Sequence, residues 1–201
     1  MDENILRNHC ILRGAMTAVP RYSHSSRCED FYSFPLEVCR LSGATDTINI
    51  IARSSLLDAL EVSEGKLCVE GELRSFNNKS GEGAKLIITV FAKQLWFEHC
   101  EDENSIELRG TICKPPTLRV TPMGREICDM MIAVNRRYGR SDYLPCIAWG
   151  LRAREASEWS VGTTVALTGR VQSRQYTKVV ENQCIEKTAY EVSVTDICID
   201  T

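Results

Sequence analysis

The feature that most constrains this chain is that it is written twice. Displacing the 201-residue sequence by 96 positions sets NHCILRG (8–14) on NSIELRG (104–110). Without a gap, Pro20 then falls on Pro116, Val38 on Val134, Arg40 on Arg136, Gly43 on Gly139, Asp46 on Asp142, Ile51 on Ile147 and Ala52 on Ala148. A displacement of 98 sets GELRS (71–75) on GRVQS (169–173). Self-similarity at a period this long predicts two homologous domains of about 100 residues, not one large core. The repeat puts them at 1–100 and 104–201, joined through the acidic stretch EHCEDENS at 98–105.

Each copy reads as mostly strand. In the second, SIELRGTIC alternates around Ile106, Leu108 and Ile112, and Met130, Ile132 and Val134 form another period-two face. YLPCIAWG is a short apolar run, TVALTGRVQS alternates again, and AYEVSVTDICI closes the copy. Between the third and fourth of these runs, LRAREASEW is rich in helix formers, with Gly162 as its stop. The first copy has SSLLDALEVSEG in that place, with Ser54 or Ser55 as the expected N-cap and Gly65 as terminator. Five strands with one helix between strands three and four is the order of an OB-fold, a small Greek-key barrel. Gly110 and Gly169 inside strand-like runs fit the bends such a barrel needs. On pattern alone, an unrelated β-sandwich stays open.

With 43% hydrophobic and 25% charged residues, the composition can fill two modest cores, which argues against a disordered chain. No run of 18 apolar residues is present, so no membrane helix is expected, and the acidic start MDENILRNHC predicts a cytoplasmic protein without an export signal. Charge is unevenly shared: residues 1–103 carry a net −5 and residues 104–201 a net +2. A polyanion would meet the second copy more favourably. The ten cysteines form no CxxC pair and no zinc-spaced set with the three histidines, so reduced, core-packed thiols are expected, with no metal and no cofactor. No HExxH, GxxxxGK[ST] or GxSxG motif is present, and no catalytic residue is assigned; a binding protein is expected in place of an enzyme.

The second copy concentrates rings and guanidinium groups in NRRYGRSDYLPCIAWG (135–150). Over about residues 104–198 its segments LRGTICKPPTLRVTPMG, MMIAVNRR, CIAWG, LRAREASEW, VGTTVALTGRVQSRQYT and YEVSVTDI come in an order that resembles the bacterial single-stranded DNA-binding proteins. The resemblance implies four base-stacking rings at Tyr138, Tyr143, Trp149 and Tyr176. Phosphate contacts would come from Arg119, Arg136, Arg137, Arg140, Arg174 and Lys178. Stacking suits such a role because every base offers a π-face, and arginine both meets phosphate and stacks on rings. Tyr143 and Trp149 lie six residues apart, so in one strand they share a face. Trp159, Trp96 and Phe97 are read as packing residues.

In the first copy the four ring positions fall on Ser42, Thr47, Arg53 and Asn78, and Phe31, Tyr32 and Phe34 read as barrel core and edge. That copy is expected to be structural or partner-facing. The resemblance further implies action in DNA replication, recombination or repair, and a homodimer that would present four barrels. The chain ends VTDICIDT directly after the last strand, so the acidic recruiting tail usual in the family is not expected. The alternative is a protein-interaction module of a primosome or replication assembly on the same fold.

Overall fold

The computed structural model describes residues 8–78, 85–136, 139–180 and 183–200; the side chains at 176–180 and 183–187 lie outside that description. The chain divides into two compact units. One comprises His9–Arg74 and Thr89–Ile106; the other comprises the described residues of Met1–Asn8, Ser75–Ile88 and Glu107–Thr201. The stretch Ser75–Ile88, which lies inside the first copy, thus belongs to the unit built around the second.

The first copy contains β1 (Asn8–Met16), β2 (Arg21–Ser26), β3 (Glu29–Cys39), β4 (Thr45–Arg53), α1 (Ser54–Asp58), β5 (Lys66–Asn77) and β6 (Leu86–Glu98). The second contains β7 (Glu103–Ile112), β8 (Thr117–Val120), β9 (Glu126–Asn135), β10 (Ser141–Trp149), α2 (Leu151–Ser157), β11 (Thr164–Val180) and β12 (Gln183–Ile199). Both follow one path. Neighbours run β2-β3-β4-β6-β5-β1 in the first, and β1 pairs again with β3. They run β8-β9-β10-β12-β11-β7 in the second, and β7 pairs again with β9. β4 runs parallel to β6, and β10 parallel to β12. Each is a five-stranded OB barrel with one additional hairpin strand and a short helix between its third and fourth barrel strands, as the element order predicts.

Alternation builds both cores. Ile106, Leu108 and Ile112 of β7, Met130, Ile132 and Val134 of β9, and Leu144, Cys146 and Ala148 of β10 are buried at every second position. The strand glycines sit where backbones touch. A Cβ on Gly110 would lie 2.6 Å from the Ala133 carbonyl oxygen, and one on Gly169 would lie 2.4 Å from that of Ser193. The β11–β12 register also shifts between Thr168 and Gly169, with Thr195 of β12 as the extra residue of the bulge, which bends the ladder at the barrel corner.

The helices are shorter than the composition predicts. α1 has five residues and its N-cap is Arg53, in extended conformation, not Ser54 or Ser55. Ser55 Oγ instead donates to Glu29 Oε1 at 3.2 Å. Gly65 does not terminate α1, which ends seven residues earlier; at φ +124° it leads into β5, where a Cβ would lie 2.5 Å from the Glu98 carbonyl oxygen. The cysteines divide: Cys10, Cys68, Cys128 and Cys146 are buried, whereas Cys28, Cys39 and Cys198 are exposed. Cys198, expected with the others as a core-packed thiol, falls on the outward position of β12.

Candidate nucleic-acid interface

Strand β10 sorts its side chains by parity. Asp142, Leu144, Cys146 and Ala148 face the core; Tyr143 and Trp149 occupy the opposite face. Tyr143 is 51% exposed. Trp149 is half-buried, and its Nε1 donates to Ser193 Oγ on β12 at 3.1 Å, which fixes the indole against the neighbouring strand. Six residues of strand separate the two rings by roughly 20 Å. Tyr176 lies on β11, but its side chain and that of Lys178 are outside the described residues, as are Tyr138 and Arg137.

The arginines are more engaged than a solvated basic loop would be. Arg136 forms a two-pronged pair with Asp142: its Nε donates to Oδ2 at 2.5 Å, and its Nη2 to Oδ1. Asp142 is fully buried. The first copy repeats this clip, with Arg40 Nε donating to Asp46 Oδ2 at 2.6 Å and Asp46 likewise buried. An uncompensated buried carboxylate would be costly, so the pair belongs to the barrel's construction before it belongs to any ligand. Arg119 on β8 pairs through Nε and Nη2 with Asp129 on β9, and these bonds raise its already high pKa, with Glu191 adding to the field. Arg174 Nε lies 3.7 Å from Glu191 Oε2. Arg140 is exposed.

Three further residues shape this face. Glu191 of β12 is only 6% exposed; it accepts from Gln172 Nε2 at 2.8 Å and stands in the field of both Arg119 and Arg174. Its carboxylate sits two residues from Ser193, the support of Trp149, and so on the same side of β12. Ser75 binds the start of β10: its N–H donates to Asp142 Oδ1 at 2.6 Å, its Oγ accepts from the Tyr143 N–H at 2.8 Å, and its carbonyl accepts from Arg136 Nη2 at 3.3 Å. Phe76, 42% exposed, holds the Arg136 guanidinium 5.6 Å from its ring centre. The repeat sets Ser75 on Ser173 but does not reveal these contacts of Ser75 and Phe76, because their partners lie sixty or more residues away in sequence.

The first copy exchanges ring and polar group across the same two strands. Ile50 pairs with Val90 and Ile51 with Phe91, as Cys146 pairs with Val192 and Ile147 with Ser193. Phe91 therefore stands where Ser193 does, and Arg53 where Trp149 does. The Phe91 ring is already occupied: Arg53, Arg74 and Lys93 lie 5.7, 5.9 and 5.7 Å from its centre, and Phe31 packs at 5.9 Å. Those cations pair in turn with Glu29 and Glu72. Phe31 and Phe34 are buried, as the sequence predicts.

Comparison with known proteins bears on the second copy above all. Residues 103–199 match the model of the Single-strand binding protein family. Single-stranded DNA-binding protein 3 of Streptococcus agalactiae serotype V is 33% identical over 87 residues, 40% of this chain and 60% of that protein. Single-stranded DNA-binding protein 1 of Lactococcus lactis is 30% identical over 105 residues, 49% of this chain and 65% of that protein. The matched region thus spans less than two thirds of these relatives. The fold of nearly the whole chain is similar to the wild-type single-stranded DNA binding protein of Thermus aquaticus, with a TM-score of 0.75, 22% identity, and coverage of 96% of this chain and 93% of that one. Residues 103–199, the second copy, are thus the part of this chain that is similar to the Single-strand binding protein family.

Proposed function

We propose that the chain binds single-stranded DNA with little sequence preference, in replication, recombination or repair in the cytoplasm. The observation that carries this is the outward face of β10, where Tyr143 and Trp149 stand on one side of the strand with their backs to a filled core. Bases stack on these rings, with Tyr138 and Tyr176 as the further platforms and Phe76 as an added exposed ring beside Arg136. Arg140, Arg137 and Lys178 meet phosphates. Arg119, Arg136 and Arg174 contribute through pairs they already hold with Asp129, Asp142 and Glu191. The first copy serves as a structural or partner-facing domain, since Phe91 is enclosed by cations and Phe31. A homodimer would present four barrels.

Titration of the whole chain with long oligo-dT at low salt, read by tryptophan fluorescence, tests the reading; light scattering on the same sample reads the mass. Quenching that weakens with salt is the expected result, since neutralised phosphates release counterions with a slope of about −0.7 each. An absence of binding at low salt ends the proposal. A second reading, a protein-bridging module, draws on the carboxylates that already match Arg119 and Arg174. It predicts that Tyr143→Ala leaves assembly with protein partners intact.

A further inference from the structure

The two barrels close an equivalent corner with different chemistry. In the second copy, Arg109 of β7 pairs with Asp200 just after β12, and Ala166 of β11 lies beside Arg109 in one shallow hollow. The strand equivalences put Cys68 where Ala166 stands and Glu98 where Asp200 stands. Arg13, the equivalent of Arg109, is the ladder neighbour of Cys68, but it turns to Glu103 at 3.2 Å. Glu98 is thereby left facing thiols. Cys68 Sγ lies 3.8 Å from Glu98 Oε2 and 3.9 Å from Cys100 Sγ, and the three ligand atoms all lie within 4.8 Å of one another.

The Sγ–Sγ and the Cys68 Sγ–Oε2 distances are close to those of a metal tetrahedron. With zinc–sulfur bonds of about 2.3 Å, two bound sulfurs stand about 3.8 Å apart, and a carboxylate oxygen bound at about 2.0 Å stands roughly 3.5 Å from each sulfur. A disulfide would need the sulfurs at about 2.05 Å, close to half the observed separation. Cys68 is fully buried, while Cys100 borders an open hollow lined by Gly65, Lys66, His99 and Glu101, which gives an ion a path in. The absence of a side chain at Gly65 lets the Glu98 carbonyl come close, which brings the two chain segments together. The Trp96 Nε1 donates to the same Glu98 oxygen at 3.4 Å, an outer-shell contact of the kind that orients a metal-binding carboxylate.

We infer that Cys68, Cys100 and Glu98 bind one zinc ion, with the fourth position open to the hollow, where water or the His99 imidazole completes the tetrahedron. On binding, each thiol loses its proton to solvent and each thiolate donates a pair to zinc; no oxidant or reductant is involved. Three negative ligands outweigh the ion's charge by one, and Arg13 lies close enough to Cys68 to offset it. Uptake is therefore coupled to proton release. The ion would staple the start of β5 to the segment after β6.

The test uses the full chain, purified reduced and without a histidine tag, saturated with zinc chloride and then dialysed. About one zinc per chain is expected. Cobalt in its place should give thiolate-to-metal charge-transfer absorption in the near ultraviolet and strong visible bands. Cys68→Ala and Cys100→Ser should each abolish both signals; alanine is what the second copy carries at the position of Cys68, and circular dichroism verifies folding. Glu98→Gln should weaken zinc by more than the ~10–100-fold that loss of an outer-shell contact costs. Cys39→Ser, a control at an exposed thiol, should bind normally. A reduced chain that retains no zinc overturns the inference. So does a native protein in which Cys68 and Cys100 are joined as a disulfide, or a cobalt signal that survives the loss of both cysteines. No readout involves DNA, so the result stands apart from the proposed function.

Discussion

Tyr143→Ala isolates base stacking from everything else on the β10 face. The ring is half exposed, and the strand at this point is held by its backbone N–H bond to Ser75 Oγ, which alanine keeps. Folding stability should therefore fall by less than ~1 kcal/mol, the range of strand preference. Binding loses one stacked base, about 1–3 kcal/mol, which is roughly a 5- to 150-fold rise in Kd for oligo-dT. Because no charge is removed, the slope of log K against log salt should not change. The signal is quenching of Trp149, some 20 Å further along the strand. The chain has three tryptophans, so Trp149→Phe assigns that signal. At that distance the two substitutions should add. Unchanged affinity in Tyr143→Ala would refute the stacking role, and an altered salt slope would show that the loss is electrostatic.

Other substitutions test the electrostatics and the frame. Glu191→Gln keeps the hydrogen bond with Gln172 but removes the ion pair to Arg174 and the negative field at Arg119, which stays on Asp129, so oligo-dT should bind more tightly, with a salt slope steeper by up to about 0.7; an unchanged slope would show that Glu191 does not hold Arg174 back. Arg136→Ala and Arg40→Ala each take the paired cation from a buried aspartate and should cost about 3–5 kcal/mol in urea unfolding. Arg136→Lys should lose part of that stability through the missing second prong while leaving the salt slope intact, which separates construction from phosphate contact. Burial opposes ionisation of Asp102, but Lys66 at 2.8 Å and the Cys39 N–H at 2.6 Å outweigh it and hold the carboxyl below its usual range. The stability this gives is present above about pH 4 and is lost as pH falls further, so the gap in unfolding free energy between the parent and Asp102→Asn should narrow in acid titration.

The barrel was legible in the sequence because its causes are local. Alternation at Ile106, Leu108 and Ile112 places a core face whatever surrounds it, and a glycine such as Gly169 in the middle of a strand has few reasons to be there other than a close backbone. Parity alone put Tyr143 and Trp149 on one side of β10. The charges were not legible in this way. Arg119, Arg136 and Arg174 read as a basic patch because their carboxylate partners are 10, 6 and 17 residues distant, and nothing in a linear reading says which acid folds back on which base. Helix length failed for a related reason. α1 stops at Asp58 with no buried residue of its own, so good helix formers beyond it had no apolar face to extend.

What the two copies share and what they exchange separates fold from surface. The Arg–Asp clip recurs with the same atoms in both, Arg40 on Asp46 and Arg136 on Asp142, each carboxylate wholly buried. A ligand contact would have no reason to persist between copies whose ring positions differ, whereas a group that closes the turn between a barrel's second and third strands does. Across β4 and β6 the opposite holds: Arg53 and Phe91 occupy the places of Trp149 and Ser193, and the cation now covers the ring that the other copy leaves half open. One exchange keeps an aromatic in the pair but changes its availability, because a ring enclosed by three cations must shed them before a base can stack. The same backbone register thus supports an open platform in one barrel and a sealed one in the other. The decisive variable is the order of two residues on adjacent strands, and the number of aromatics is secondary.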